Sequence, residues 1–141
     1  MKKKICIVAA NYYPKISKDL IKGSLLVLKK NKITNFKIIY SPGAFEIPVI
    51  ISRNINKFDG FIALGCVIKG ETPHFDFISN SSTQGIMNLS IKSKKPIGNG
   101  LITSLNKKQA FIRSNPMKKN KGGEAAKAVL SVLGILKDGK K

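Results

Sequence analysis

The run Phe61-Ile62-Ala63-Leu64-Gly65-Cys66-Val67-Ile68, followed by Lys69-Gly70-Glu71-Thr72-Pro73-His74, decides the fold. Its first part carries no charge, is short, and is rich in β-branched side chains, so it reads as a strand. The absence of any polar alternation means that both faces are covered, as in the central strands of parallel sheets. The character then changes at once. Lys69-Gly70 leaves the strand, Thr72 suits an N-cap, Pro73 suits the first helical position, and Asp76 in the first turn favours the helix dipole. A helix is expected from Pro73 to about Ile91.

The same strand-then-helix unit recurs on either side. Ile5 to Ala10 is a buried strand by composition. Ile16, Leu20, Ile21, Leu25 and Leu28 then recur at three- and four-residue steps, which is one face of a helix. Phe36 to Tyr40 is the second strand, and Ile47 to Ile55 is helical with Pro48 in its first turn. Pro96 to Thr103 is the fourth strand. A short helix comes near Lys107 to Arg113, and a last one places Ala125, Ala126, Val129, Leu130, Leu133 and Leu136 on one side. Alternation of this kind predicts a three-layer α/β/α domain around a four-stranded parallel sheet. With 141 residues and no linker or repeat, residues 1–141 are expected to be one domain.

Composition narrows the function classes. No apolar run approaches the ~20 residues of a membrane span. Met1-Lys2-Lys3-Lys4 and Ile5 to Ala10 start like an export signal, but Asn11, Tyr12, Tyr13 and Pro14 end the run early, so a cytoplasmic protein is expected. Lys and Arg number 26 against 7 Asp and Glu, a net charge of +19. That excess raises nucleic acid as a partner. However, only Arg53 and Arg113 are arginines, and the lysines are scattered at helix ends and loops, which disfavours it. Cys6 and Cys66 sit inside apolar runs without metal or redox spacing and read as small buried hydrophobes. A metal site is not expected, because His74 is the sole histidine and no paired cysteines accompany it.

In open α/β sheets ligands bind beyond the carboxyl ends of the strands. That rule selects Asn11-Tyr12-Tyr13-Pro14, Ser41-Pro42-Gly43-Ala44-Phe45-Glu46, Lys69 to His74, and the segment after Asn99. Tyr12 and Phe45 can contact a flat heteroaromatic ring, and Glu46 can accept hydrogen bonds from hydroxyl or N–H groups. A helix starting near Thr72 can hold a phosphate on its free N–H groups. His74 is the one side chain suited to proton transfer near neutral pH. Arg113 can grip a phosphate as a fork and Lys121 as a point charge. Each residue also has a plainer reading, as core aromatic, helix-start acid, capped helix or solvated cation. There is no GxGxxG, Walker loop or nucleophile elbow.

In order, the strings Pro42-Gly43-Ala44-Phe45-Glu46-Ile47-Pro48, Ala63 to Asp76, Gly98-Asn99-Gly100-Leu101-Ile102-Thr103 and Asn120-Lys121-Gly122-Gly123-Glu124-Ala125-Ala126 resemble the lumazine synthase family. The resemblance runs from about Ile5 to Leu136. It implies a flavodoxin-like sheet and condensation of 5-amino-6-(D-ribitylamino)uracil with 3,4-dihydroxy-2-butanone 4-phosphate in riboflavin biosynthesis, with no metal or organic cofactor. It places Tyr12, Ala44, Phe45, Glu46, Cys66, Val67, Ile68, Asn99 and Lys121 at the pyrimidine and its ribityl chain. Glu71, Thr72 and Arg113 fall at the butanone phosphate, and His74 at proton transfer. It further implies a homopentamer with sites between subunits, Asn99 coming from a neighbour. A decamer or capsid is the larger form, and association with riboflavin synthase is a further expected partnership. The chain departs from the family pattern at Asn11-Tyr12-Tyr13, where Arg-Phe-Asn is frequent. A noncatalytic flavin- or nucleotide-binding module shares this topology and is the rival reading.

Overall fold

The uncharged run Ile5–Ala10 forms β1, buried along its whole length. The structure is a computed structural model and describes residues 2–70 and 73–136. Helix α1 (Pro14–Lys30) is next in the chain, with Pro14 at its start. Then come β2 (Phe36–Ser41), a single 3-10 turn (Ala44–Glu46) and α2 (Ile47–Arg53). Strand β3 (Gly60–Ile68) leads to α3 (His74–Ser93), and β4 (Ile97–Ser104) leads to α4 (Lys107–Ser114) and α5 (Lys121–Val132). All strand pairs are parallel, in the order β2-β1-β3-β4. This is the expected three-layer α/β/α, flavodoxin-like arrangement.

Side-chain alternation splits the core in two. Ile5, Ile7 and Ala9 of β1 with Ile62 and Leu64 of β3 pack under α1, α4 and α5, against Ile16, Leu20, Ala126 and Leu130. Cys6, Val8 and Ala10 with Phe61 and Ala63 pack on the other face, against Ile47, Ile51 and Ile86 of α2 and α3. Strand β3 is central and covered on both faces, which is why its sequence is apolar throughout.

Boundaries differ from expectation by a few residues. Helix α3 begins at His74, with Pro73 in the N-cap position and not the first helical one. Helix α2 stops at Arg53, where the Asn54 side-chain amide donates to the Ile50 carbonyl at 2.8 Å. Helix α5 ends at Val132, and Leu133 and Leu136 pack on the core from beyond it. The N-terminus of α5 is set by Asn120, which takes a left-handed conformation (φ 50) and accepts from the Gly123 N–H at 3.2 Å. Asn tolerates that region better than most residues. Gly122 then lies so close to α1 that a Cβ would run into the Leu20 carbonyl, which fixes where Lys121 stands.

Candidate active site

The strand order places a topological switch point between β1 and β3, because the chain leaves β1 towards β2 and later continues on the opposite side. A crevice opens there, outside the carboxyl ends of the strands. It is a cleft of about 570 Å³, within the usual range for small-molecule sites.

Each wall comes from one of the loops that the strand ends define. Tyr12 and Tyr13 come after β1, the segment 42–46 comes after β2, Cys66, Val67 and Ile68 end β3, and His74, Phe75 and Ile78 open α3. Tyr12 and Phe45 are exposed aromatic faces, at 71% and 57%. The β2 wall is held from several sides. Asn11 N–H donates to the Ser41 carbonyl at 2.9 Å, and the Ser41 hydroxyl donates to the Gly43 carbonyl at 2.6 Å. The buried Ser82 hydroxyl of α3 donates to the Ala44 carbonyl at 3.0 Å, which ties the 3-10 turn, and with it Phe45 and Glu46, to the helix that carries His74. A Cβ at position 43 would come within 3.3 Å of a Glu46 carboxylate oxygen, so Gly43 leaves room for that group. The positive end of the α3 dipole opens on the same cleft, with Asp76 in its first turn.

At the end of β3, burial pushes the Cys66 thiol up to about 11, partly offset by a hydrogen bond with Ser104 and by the nearby Arg113 charge. Burial likewise raises the Tyr13 phenol above its ordinary value, with Cys66 and Tyr12 adding to the rise. Cys66 is therefore a neutral thiol at neutral pH, and its contribution to the cleft is shape and backbone. Among the described residues, no three His, Cys, Asp or Glu side chains cluster as a metal site.

Of the residues singled out from sequence, the structure brings Tyr12, Ala44, Phe45, Glu46, Cys66, Val67, Ile68 and His74 into this cleft. Glu71 and Thr72 lie outside the described residues. Three others do not line it. Arg113, on α4, donates from Nη1 to the Thr103 carbonyl at 2.7 Å. Thr103 pairs with Val67, so the guanidinium is anchored one strand, about 4.8 Å, beyond the cleft wall. Lys121 heads α5, 3.9 Å from Glu124. Asn99 pairs with Ala63 on the edge strand β4 and bonds the Leu101 N–H at 3.1 Å through Oδ1. It is exposed and three residues short of the level of Cys66. Asn99 sits on β4, across β3 from the switch point, and Arg113 is held to that same strand, whereas Lys121 heads α5 where that helix packs on α1. Sequence reasoning missed Phe75 and Ile78 and gave Tyr13 no role.

Fold and cleft together define a doubly wound α/β protein with a cleft of small-molecule size at the switch point of its sheet. Residues 2–137 match the family model described as 6,7-dimethyl-8-ribityllumazine synthase. Proteins of that name from Bartonella tribocorum, Blochmanniella pennsylvanica and Agrobacterium fabrum are 42%, 41% and 39% identical to the chain. The matches cover 97%, 96% and 94% of this chain and 93%, 89% and 94% of those relatives. The chain belongs to the 6,7-dimethyl-8-ribityllumazine synthase family.

Proposed function

We propose that the chain condenses 5-amino-6-(D-ribitylamino)uracil with 3,4-dihydroxy-2-butanone 4-phosphate to give 6,7-dimethyl-8-ribityllumazine, a step of riboflavin biosynthesis. The pyrimidine's 5-amino group attacks the ketone and an imine forms with loss of water. Phosphate then leaves, and the ribitylamino nitrogen closes the ring with loss of a second water. The observation that carries this reading is the convergence of two exposed aromatic rings, Glu46 and the sole histidine on one cleft. Such chemistry needs two small molecules held together and protons moved, which is mainly proximity with acid–base help.

Tyr12 and Phe45 pack on the pyrimidine, Glu46 accepts from the ribityl hydroxyls, and the backbone of Cys66, Val67 and Ile68 meets the ring edge. His74 transfers the protons of imine formation and ring closure. Arg113 holds the phosphate with Glu71 and Thr72, supported by its anchorage beside Val67. Lys121 and Asn99 serve sites completed by neighbouring subunits of a homopentamer. That assembly is supported by α3, whose outer face leaves Phe77, Met87 and Ile91 exposed at 66%, 57% and 68%. These side chains fall within about a quarter turn of one another along roughly 21 Å of helix, the kind of apolar stripe that marks an interface. Cyclic closure lets one surface meet a different one around the ring. Among the described residues no helix is long and apolar enough to cross a membrane. Two free, buried thiols suit a reducing compartment, the cytoplasm.

The test is to mix the protein with both substrates and follow lumazine absorbance, with His74→Ala alongside. The mutant is expected to lose roughly 10²-fold in kcat, the lower range for general acid–base help, with little change in KM. Unchanged turnover would remove His74 from the chemistry. No product from folded wild type would leave a ligand-binding protein, for which riboflavin titration is the next measurement.

A further inference from the structure

We propose that Tyr13 is a positioning residue for the pyrimidine half-site, holding the Tyr12 ring at the angle from which it stacks on substrate; this rests on the stacking role of Tyr12 given above. Tyr12 is 71% exposed and stands on a loop, so its side chain would otherwise carry free rotamer choice. The Tyr13 ring meets it in a T-shaped pair, with centroids 4.9 Å apart and planes at 83°. Edge-to-face geometry is directional, since the positive ring edge seeks the negative face. It therefore restricts the tilt of Tyr12 as well as its location.

Tyr13 itself is anchored where Tyr12 is not. It is half-buried and packs on the core beneath α1, α4 and α5. It is the N-cap of α1, and its carbonyl accepts the Ser17 N–H at 2.9 Å. Tyr13 and Cys66 both line the cleft, and the Cys66 thiol is near enough to act on the ionisation of the Tyr13 phenol. Tyr13 thus bridges the rigid end of β3 and the exposed ring. Ordering a side chain before substrate arrives removes a cost that binding would otherwise carry.

The experiment measures KM for each substrate and kcat in Tyr13→Leu, Tyr13→Phe, Tyr12→Ala and the Tyr12→Ala/Tyr13→Leu double variant. Titration with 6,7-dimethyl-8-ribityllumazine gives a Kd that does not depend on turnover, and circular dichroism selects the folded variants. Tyr13→Leu is expected to raise the pyrimidine KM and the lumazine Kd roughly three- to tenfold. The KM for the phosphate substrate and kcat should stay within about twofold. Tyr13→Phe keeps the ring pair and should restore the pyrimidine KM to within about twofold of wild type. The double variant should bind no worse than Tyr12→Ala, because two residues acting as a unit are not additive. If Tyr13→Phe is as damaging as Tyr13→Leu, the hydroxyl acts and the positioning role is overturned. A harmless Tyr13→Leu beside a damaging Tyr12→Ala, or strict additivity, also overturns it. If Tyr12→Ala is itself harmless, the stacking reading fails first and takes this one with it.

Discussion

Arg113→Ala isolates the phosphate half of the reaction. The guanidinium is exposed, and one nitrogen is committed to the Thr103 carbonyl at 2.7 Å. That bond holds the guanidinium near the end of β4, where Thr103 pairs with Val67 of β3. Removing an exposed side chain with one hydrogen bond should cost the fold less than ~1.5 kcal/mol. The effect on a bound phosphate is larger. A unit charge pair at ~4 Å gains about 1 kcal/mol in bulk water and about 4 kcal/mol at the dielectric of a protein surface, and hydrogen bonds to charged groups contribute about 1.5–3 kcal/mol. An intermediate value of ~2 kcal/mol corresponds to a roughly thirtyfold rise in KM for the phosphate substrate. The pyrimidine KM should stay within about twofold, because the anchor meets the pyrimidine side only through the backbone pairing of Thr103 with Val67. Steady-state kinetics with each substrate varied in turn reads both numbers. Arg113→Lys keeps the charge, loses the fork and should fall between. Raising the salt should raise the phosphate-substrate KM of wild type and leave that of Arg113→Ala nearly flat. An unchanged phosphate-substrate KM, or an equal rise for both substrates in a folded mutant, would place Arg113 outside the site.

The cysteines and the assembly give two further tests. Burial raises both Cys6 and Cys66 from 9.0 to about 11, so the thiols stay protonated in the folded chain while those of the unfolded chain ionise. Stability that is fully present below pH 9 is therefore lost as pH rises through about 11, on the order of 2–3 kcal/mol per thiol. Urea midpoints from pH 8.5 to 11 should fall more steeply for wild type than for the Cys6→Ala/Cys66→Ala variant; parallel curves would mean that the thiols are not desolvated. Ile91→Glu should reduce assembly in sedimentation velocity, and wild-type assembly should weaken at low salt because each subunit carries +19. Assembly indifferent to both would move the subunit contact away from α3 and make surface repulsion unimportant.

Strands β1 and β3 were legible because burial on two faces leaves an uncharged run, and α1 because its single buried face repeats at helical steps. Helix α3 was legible as a helix but not in its orientation. It buries only Ser82 and Ile86, while Phe77, Met87 and Ile91 face outward. A period tells that a face exists, not whether this chain covers it. The site divides along the same line. Tyr12, Ala44, Phe45, Glu46 and His74 were found by position, since each comes from a loop beyond the carboxyl end of β1, β2 or β3, whereas Cys66 read as a buried hydrophobe and was tied to the site by likeness of motif. Asn99 was tied to the site by likeness of motif, and Arg113 and Lys121 by their charge as well; Asn99 and the anchor of Arg113 lie on β4, beyond β3, and Lys121 stands beside α1.

Phe75 and Ile78, which the strand-end rule missed, were reachable by a second local rule. His74 and Ile78 stand four residues apart on α3, so they share a face, and any ligand against His74 meets Ile78 as well. Phe75 comes from the same first turn. Tyr13 lay in a selected loop but was given no role, because strand alternation sends neighbours to opposite sides and gives no reason for two adjacent tyrosines to share a cleft. They share it because β1 has already ended. Tyr13 is the N-cap of α1 in an extended conformation (φ −117, ψ 92), and the turn into the helix brings its ring back beside that of Tyr12. The contact that pre-orients the exposed ring is thus a consequence of where the helix starts, and Pro14, locked at a helical φ in the first position, is the residue that sets the start.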